Sequence, residues 1–270
     1  MPREPVELRS VWKVLDGRAS EVSDWVVVEE PLEIRIQGEP LAVIMRTPGQ
    51  DIELVAGFSL TEGVVPSMDD IATIRQCRNG DTGEENVVDV TLAPGAAFDP
   101  ARLRRNLMAS AACGLCGKAS LEALATRARP AGPGPRVRRE VLASLPATLL
   151  EAQESFGRTG ALHAAGLFEP DGRLRLCRED VGRHNAVDKV VGRTALDRLG
   201  TGDSILLVSG RTSFEILQKA AVAGIPIVCA ISGPTTLAIE TARAFNITLV
   251  NFLRGDGMNI ASCPERVAGV

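Results

Sequence analysis

Apolar strands and helical segments alternate regularly in the second half of the chain, which limits the folds open to it. Three short runs there are almost continuously apolar: SILLVS (204–209), PIVCAIS (226–232) and ITLVNFL (247–253). Strands of this kind are typical of a parallel sheet covered by helices, because neither face of such a strand is left for water. Residues 139–270 are therefore predicted to form an α/β domain.

The order of elements in this domain narrows the fold further. A helix is expected over 147–156, followed by a β-hairpin whose strands, GALHAAGLF and RLRLC, are joined by the turn EPDG. Three more helices alternate with the apolar strands, at 181–199, 213–223 and 235–245. Gly224 and Asn246 are suitable residues to end the last two. The resulting α-β-β-α-β-α-β-α-β order resembles the three-layer core of cytidine-deaminase-like domains.

The first part of the chain is rich in strands. Short β-branched runs separated by turn residues predict strands at 25–30, 32–37, 41–47, 71–77 and 86–93. One helix is expected among them, with Asp51 as its N-cap and Gly63 just past its end, and 99–108 is predicted to form another. Residues 1–109 are therefore predicted to form a smaller, strand-rich α+β domain.

The segment between the two predicted domains, residues 110–138, is poor in packing groups. It begins with SAACGLCGKAS, in which Cys113 and Cys116 are surrounded by Gly, Ala and Ser. A short helix is predicted over 120–129, where Pro130 stops it, and a linker rich in Gly and Pro follows. We expect this segment to be mobile and to present the two thiols on a loop.

The Cys-x-x-Cys spacing is compatible with three kinds of chemistry. Half a zinc site needs two further ligands, but the chain has no second Cys-x-x-Cys and only two histidines, His163 and His184. A redox pair of the thioredoxin type would follow a strand, whereas this pair lies between two helical segments. A sulfur carrier needs a thiol of low pKa on a mobile arm, which the following helix, the nearby Lys118 and the small flanking residues favour. All three stay open on the residues alone, as does a pair of incidental thiols.

The fold prediction raises a further possibility, a zinc deaminase, for which the residues are missing. That signature is H-x-E followed downstream by P-C-x-x-C. Here His163 is followed by two alanines, and the cysteine pair precedes both histidines.

Similar polar strings follow the apolar strands. SGRTS (209–213) and SGPTT (232–236) each open a helix, and the third strand ends in RGDG (254–257). The carboxyl ends of parallel strands share one edge, where helix N-termini offer free N–H groups and partial positive charge. Ser, Thr and Gly are also ordinary cap and turn residues, but three such corners on one edge favour a ligand that bears phosphate. The candidate contacts are Ser209, Gly210, Arg211, Ser232, Gly233 and Arg254.

A histidine on the helix after the hairpin is a further candidate. His184 and Asp188 are four residues apart and therefore lie on one helix face. Our hypothesis is that Asp180 caps this helix and that His184 lies near the ligand or a contact between subunits.

Composition excludes several classes of partner. The net charge is −4 and aromatic residues make up 3% of the chain, so neither a basic field nor a base-stacking surface is expected for nucleic acid or anionic membranes. The N-terminal segment lacks the apolar run of a signal peptide, and no stretch is long enough to span a membrane. A cytoplasmic protein with reduced thiols is therefore expected. Cys229, in an apolar run, is predicted to be a core residue.

Six longer strings, spread over nearly the whole chain, are specific enough to indicate a family. They are TPGQDIELVAGFSLTEG, CGLCGK, GALHAAGLF, EDVGRHNAVDKVVG, SGRTSFEILQKAAVAGIPIV and SGPTTLAIETARAFNITLVNFLRG. Together they resemble the FdhD family of formate dehydrogenase accessory sulfurtransferases.

The resemblance implies a function, a cofactor and partners. Cys113 would carry sulfur as a persulfide, with Cys116 assisting. A cysteine desulfurase would donate the sulfur, and the acceptor would be the molybdenum (or tungsten) bis-pterin guanine dinucleotide cofactor, bound as substrate for the formate dehydrogenase catalytic subunit. The resemblance also implies a homodimer with no permanently bound metal. Cofactor contacts would fall on Phe252, Leu253, Arg254, Gly255, Asp256 and Gly257.

Two functions from other classes are also compatible with the sequence. One is a non-catalytic cofactor-binding chaperone whose Cys-x-x-Cys binds zinc or docks a partner. The other is a dithiol oxidoreductase.

Overall fold

The computed structural model describes residues 3–78, 80, 83, 85–96, 98 and 117–270, with only the backbone for 117–120. Cys113, Cys116 and the predicted helix at 99–108 lie outside the described residues. The described elements of the first half are β1 (Val6–Leu15), β2 (Arg18–Val27), β3 (Glu30–Ile36), β4 (Glu39–Arg46), α1 (Asp51–Thr61), a 3-10 turn at Met68–Asp70, β5 (Ile71–Cys77) and β6 (Val87–Leu92).

The chain after residue 116 alternates between helices and strands. Its elements are α2 (Gly117–Ala125), β7 (Val137–Arg138), α3 (Arg139–Glu151), α4 (Glu154–Thr159), β8 (His163–Phe168), β9 (Leu174–Asp180), α5 (Arg183–Leu196), β10 (Ile205–Val208), α6 (Phe214–Val222), β11 (Ile227–Ala230), α7 (Thr236–Ala244), β12 (Thr248–Arg254), β13 (Gly257–Ser262), a 3-10 turn at Pro264–Arg266 and β14 (Val267–Ala268).

A six-stranded mixed sheet organises this second half. Its strand order is β13-β12-β11-β10-β8-β9. The three apolar strands β10, β11 and β12 are parallel, as predicted. The outer strands are not: β8 runs antiparallel to β10 and β9, and β13 runs antiparallel to β12. The comparison with cytidine-deaminase-like domains and the proposed domain boundaries stay predictions.

The sheet separates two apolar cores, so the second half has three layers. Alternate residues of β10 point to opposite faces: Leu206 and Val208 belong to a core with α5, α6 and α7, whereas Ile205 and Leu207 face α3. Cys229 is fully buried in the second core, which confirms its prediction as a core residue. Helices on both faces explain why these strands carry no polar alternation.

One helix predicted for this half is wrong. The helix predicted over 147–156 is two helices, and the first, α3, begins at Arg139 and contains Pro146 within it. The RGDG string at the end of the third apolar strand leads into a further strand. Gly255 and Asp256 form the turn of a β12–β13 hairpin, in which Arg254 pairs with Gly257 and Gly255 has a φ of 53°.

The first half forms a four-stranded sheet and a separate two-stranded ribbon. The sheet has the order β4-β3-β6-β5, and α1 covers its apolar face. The ribbon pairs β1 with β2 along ten residue pairs, and Trp12 on it is 71% exposed. The predicted strand 25–30 is wrong, because β2 ends at Val27 and β3 begins at Glu30.

Helix α1 contacts α5 at a crossing that requires glycine on both helices. A Cβ atom on Gly57 would lie 1.9 Å from the carbonyl oxygen of Asp188, and one on Gly192 would lie 1.8 Å from that of Glu53. The two backbones therefore touch directly. The N-cap of α1 is Gln50 rather than the predicted Asp51, whose carboxylate instead pairs with Arg46 at 2.9 Å. Gly63, at a φ of 74°, follows the helix as predicted.

A buried ion cluster ties the same helices together. The ammonium group of Lys219, on α6, donates to Thr61 Oγ1 at 3.0 Å, Glu62 Oε1 at 2.7 Å and Asp188 Oδ2 at 2.8 Å. Thr61 in turn donates to the other Asp188 oxygen at 2.7 Å. Burial raises the pKa of Asp188 to about 6, although Lys219 lowers it. The cluster holds two carboxyl groups for one ammonium group, and they differ: despite burial, the charges of Lys219 and Arg127 lower the pKa of Glu62, whereas that of Asp188 stays raised.

We predict that Gly192→Ala destabilises the protein by about 1–3 kcal/mol or more, because the added methyl meets backbone of α1 that cannot move independently. Gly157→Ala on α4 is the matched control, since a Cβ atom there meets nothing within 4 Å. It should leave stability unchanged or raise it by up to about 1 kcal/mol. Urea denaturation of both variants measures their free energies of unfolding. Equal values would contradict the direct backbone contact between α1 and α5.

A second prediction concerns pH. With a pKa of about 6, folded Asp188 holds a proton at pH values where the unfolded chain, with an ordinary value of 3.8, does not. Its contribution to stability is therefore present below the unfolded value and lost as pH rises through 6. The free energy of unfolding of the wild type, relative to that of Asp188→Asn, should fall between about pH 4 and 7. Urea denaturation at several pH values tests the prediction. If the free energies of unfolding of the two proteins changed equally with pH, it would be wrong.

Candidate functional site

The polar loops after the parallel strands meet at one edge of the six-stranded sheet. We call this the carboxyl-end edge. It consists of His163, Arg183, His184, 209–215, 231–235 and 251–254. Because β10, β11 and β12 are adjacent and parallel, their carboxyl ends lie side by side, as the sequence predicts. The antiparallel strand β8 begins at the same edge, where Ser209 N–H donates to the carbonyl of Ala164 at 3.0 Å.

The two loops that the sequence singles out are joined to each other by backbone hydrogen bonds. Thr212 N–H donates to Gly233 O at 3.2 Å, and Thr235 N–H donates to Thr212 O at 3.0 Å. Below them Asn251, fully buried, donates through Nδ2 to Thr212 Oγ1 at 2.9 Å and to Ser232 O at 3.3 Å. Its Oδ1 is buried and meets no donor among the described residues. The loops thus form one connected rim rather than two independent corners.

Helices α6 and α7, which begin at this edge, differ in how the free N–H groups of their N-termini are hydrogen-bonded. The side chain of Thr235 caps α7 by accepting from Ala238 N–H at 3.2 Å. Ser213, at the N-cap of α6, makes no such bond. Its hydroxyl lies 3.4 Å from His184 Nε2, and despite burial a hydrogen bond from it lowers the pKa of Glu215. Ser213 therefore contributes to the side-chain network of the edge rather than to its helix.

An exposed aromatic ring projects from the edge at a bulge in β12. Phe252 has a φ of 52° and is 46% exposed, and the pairing of β12 with β13 is irregular between Asn251 and Arg254. Its ring lies over Gly233, where a Cβ atom would come within 2.7 Å of the ring Cζ. A non-glycine residue in this conformation is strained, and such residues cluster at functional sites.

The rest of the stretch predicted to contact cofactor is divided between surface and core. Arg254 is exposed and donates through Nε to Ile231 O at 3.3 Å, which keeps its guanidinium at the edge. Leu253 is fully buried, so only its backbone faces the edge. Gly255 and Asp256 form the exposed hairpin turn, and Gly257 begins β13.

Both histidines of the chain lie at the carboxyl-end edge, together with Arg183. His163 Nδ1 is 3.5 Å from Ser209 Oγ, and His184 Nε2 is 3.9 Å from a carboxylate oxygen of Glu215. Burial, followed by the charge of Arg183, lowers the pKa of both histidines, that of His184 to about 4. Both side chains are therefore neutral at neutral pH and can each donate one hydrogen bond.

The prediction that Asp180 caps the helix carrying His184 is wrong. The N-cap of α5 is Gly182, and no side chain caps the helix. Asp180 is fully buried and organises the preceding turn, accepting from Gly182 N–H at 2.8 Å and pairing with Lys189 at 2.8 Å.

Sequence reasoning did not select Arg183 or His163 for this site. Arg183 is within the specific string EDVGRHNAVDK, but no rule of spacing marks it. A Cβ atom on Gly210 would lie 3.4 Å from both Arg183 Cδ and His163 Nδ1, so these two side chains flank that glycine. Only the pairing of β8 with β10 reveals that they belong to the edge. Arg211 is exposed on the same loop.

Three of the described thiols are unsuited to act as nucleophiles. Burial raises the pKa of Cys177 and of Cys229 to about 12 and also raises that of Cys263. The four described cysteines, Cys77, Cys177, Cys229 and Cys263, are free thiols. Among the residues with described side chains, no group of three or more His, Cys, Asp or Glu could hold a metal ion.

Two clefts of the described surface lie away from this edge. One, of about 430 Å³, is lined by Arg175, Arg178 and Arg193, whose guanidinium groups are engaged by acidic side chains. The other, of about 540 Å³, includes Glu179, which accepts from two backbone N–H groups at the start of α4. The charged groups named here are thus engaged within the protein.

In the described part of the chain, no helix combines the length and the apolar character needed to cross a membrane.

These observations define a mixed α/β protein with polar groups gathered at one edge of its larger sheet. The sequence model of the FdhD/NarQ family matches residues 27–268. The sulfur carrier protein FdhD of Streptomyces coelicolor is 50% identical over 269 residues, covering 97% of this chain and 95% of that protein. The sulfur carrier protein FdhD of Mycobacterium tuberculosis is 49% identical over 251 residues, covering 90% and 91%. The chain belongs to the FdhD/NarQ family.

A solved structure supports the fold. A crystal structure of a protein from Desulfotalea psychrophila, assigned as a formate dehydrogenase accessory protein, matches with a TM-score of 0.79 and 25% identity. The match covers 98% of this chain and all of that one.

We predict that the hydroxyl groups at the two helix N-termini have different effects on stability. Thr235→Ala should cost about 1 kcal/mol, because it removes the cap of α7. Ser213→Ala should cost clearly less, because its hydroxyl does not cap α6. Chemical denaturation of the two variants makes the comparison, and a larger loss for Ser213→Ala would show that its hydroxyl is structural.

Proposed function

We propose that this protein is a sulfurtransferase that carries sulfur as a persulfide on Cys113 and delivers it to the cofactor of formate dehydrogenase. The observation that carries the proposal is the family match, which spans both the Cys-x-x-Cys pair and the carboxyl-end edge. Its relatives at about half identity are named sulfur carriers. The raised pKa values of Cys177, Cys229 and Cys263 support the choice of another cysteine as the carrier.

The loading step is an exchange between a persulfide and a thiolate. The Cys113 thiolate attacks the outer sulfur of the persulfide on a cysteine desulfurase. The sulfur–sulfur bond of the donor breaks, its cysteine leaves as a thiolate, and a new sulfur–sulfur bond forms on Cys113. No net oxidation occurs, because the outer sulfur keeps its oxidation state. Cys116 assists, and the sulfur then passes to the bound cofactor.

We also propose where that cofactor, a molybdenum (or tungsten) bis-pterin guanine dinucleotide, is held as substrate. Its guanine nucleotide parts suit the carboxyl-end edge, where the exposed ring of Phe252 offers a face for a base. The backbones of Gly210 and Gly233 allow close approach, and Arg254 supplies a cation for phosphate. Additional contacts would come from Ser209, Arg211, Ser232 and His184, and from the backbone of 253 and 255–257.

The remaining parts of the proposal rest on the sequence. The homodimer and the two partners, a cysteine desulfurase and the formate dehydrogenase catalytic subunit, rest on the resemblance. The cytoplasmic location rests on composition, and the cytidine-deaminase-like second half also on the order of its elements. Neither nucleic acid nor a membrane is proposed as a partner, and no metal is proposed as permanently bound.

Mass spectrometry of the intact protein after incubation with a cysteine desulfurase and cysteine tests the proposal. We predict a gain of one sulfur atom in the wild type and none in Cys113→Ala. Cys77→Ala is the matched control and should gain sulfur as the wild type does, since Cys77 is a half-buried thiol on β5. Cys116→Ala should still load.

Other masses would contradict the proposal. Bound zinc retained by the native protein, without added sulfur, would indicate the chaperone. A loss of two hydrogens would indicate a dithiol oxidoreductase.

A further inference from the structure

Arg183 occupies a position in α5 where a cation is unfavourable. It is the first residue of the helix, and the N-terminus of a helix carries partial positive charge. The first turn contains no acidic residue that would offset the guanidinium, and Gly182 at the N-cap has no side chain to accept from the free N–H groups. This arginine therefore costs stability in the protein without ligand.

The guanidinium of half-buried Arg183 also lacks a hydrogen-bond partner within the described part of the chain. Its Nε is buried and makes no hydrogen bond. The two buried arginines of the described residues are hydrogen-bonded instead. Arg46 binds both oxygens of Asp51, at 2.9 and 3.0 Å, and Arg266 donates to three oxygens. A charged donor such as the Arg183 Nε, buried without a hydrogen-bond partner, is expected of a group that binds a ligand.

The surroundings of Arg183 are suited to an anion. Its side chain passes over Gly210 beside His163, and His163 in turn lies near the hydroxyl of Ser209. Two carboxylates lie near this region: Asp180, which is paired with Lys189, and Glu215, which accepts from the hydroxyl of Ser213 and interacts with the charge of Arg183. Neither carboxylate makes a hydrogen bond or ion pair with the guanidinium among the described residues, so its donors stay available to an anion.

We propose that Arg183 binds the phosphates of the guanine nucleotide, with His163 and Ser209 as neighbouring hydrogen-bond partners. A guanidinium matches two phosphate oxygens at once, which Arg254, already bonded to a backbone carbonyl, does less freely. Binding would satisfy the orphan Nε and offset the unfavourable charge at the start of α5. The identity of the ligand as a guanine nucleotide rests on the proposed function, whereas the binding of an anion by Arg183 does not.

Calorimetric titration of the full-length protein with GDP, guanosine and inorganic pyrophosphate tests the inference. Arg183→Gln should weaken GDP and pyrophosphate about ten- to a hundredfold, as expected for loss of a charged hydrogen bond, and leave guanosine unchanged. Arg183→Lys keeps the positive charge but cannot donate two parallel hydrogen bonds as a guanidinium does, so it should lose less affinity for GDP and pyrophosphate than Arg183→Gln. The melting temperature of Arg183→Gln should be equal to or above that of the wild type.

Arg193→Gln is the matched control on the same helix. Arg193 lies in the last turn, where a cation is favourable, and pairs with Asp197 at 2.7 Å and with Glu53 at 3.7 Å. This variant should lower the melting temperature and leave GDP affinity unchanged, the opposite of Arg183→Gln.

Each alternative outcome separates the two proposals. If Arg183→Gln binds GDP and pyrophosphate as the wild type does, the role of Arg183 is wrong, whereas nucleotide binding stands. If the variant loses guanosine as well and melts lower, Arg183 is structural, and the inference again fails. If the wild type binds pyrophosphate through Arg183 but shows no preference for GDP, the anion site stands and the nucleotide placement fails. If the wild type binds none of the three, both are wrong.

Discussion

The buried ammonium group of Lys219 holds together the helices on which the candidate site depends. Its three partners come from the end of α1 and from α5, so one residue on α6 fixes three helices that are far apart in sequence. Because α5 and α6 begin at the carboxyl-end edge, their relative position sets the distance between His184 and Ser213. Removing the ammonium group would leave the buried carboxyl group of Asp188 without a counter-ion, which is far more costly than losing an exposed ion pair. The glycine crossing of α1 and α5 allows this arrangement, since bulkier residues would hold these two helices too far apart for Thr61 to reach Asp188.

The parts of the fold that could be predicted from the sequence are those whose residue types are compatible with only one environment. The strands β10, β11 and β12 read as continuous apolar runs because helices cover both of their faces. The ribbon of β1 and β2 gave no such pattern, because its residues, Trp12 among them, are largely exposed and do not alternate with a core. The helix predicted to begin at 147 begins earlier, as α3 at Arg139, because Leu142, Leu145 and Leu149 pack into the core and stabilise a helix that contains Pro146 within it.

The candidate site could likewise be predicted from the sequence only in part. The loops at Ser209 and Ser232 were predicted to meet because parallel strands bring their carboxyl ends to one edge, and they do. Arg183 and His163 were not predicted to join them. Their position depends on β8 running antiparallel beside β10, and hydrophobic periodicity does not determine the direction of a strand. Asp180 precedes a helix and has the right chemistry for a cap, but pairing with Lys189 uses its charge elsewhere.

The distribution of unfavourable features supports the carboxyl-end edge as the place of function. Away from it, buried charges are satisfied: Arg46 by Asp51 and Glu30, and Lys189 by Asp180. At the edge, Phe252 is strained, Asn251 Oδ1 and Arg183 Nε are buried without described partners, and Ser213 leaves its helix uncapped. Each of these lowers stability in the free protein, and proteins tolerate such local conflicts mainly where a ligand or a reaction requires them. Several such features on one rim, in a chain whose buried cations Arg46 and Lys189 are paired, support the proposal that the rim binds an anion.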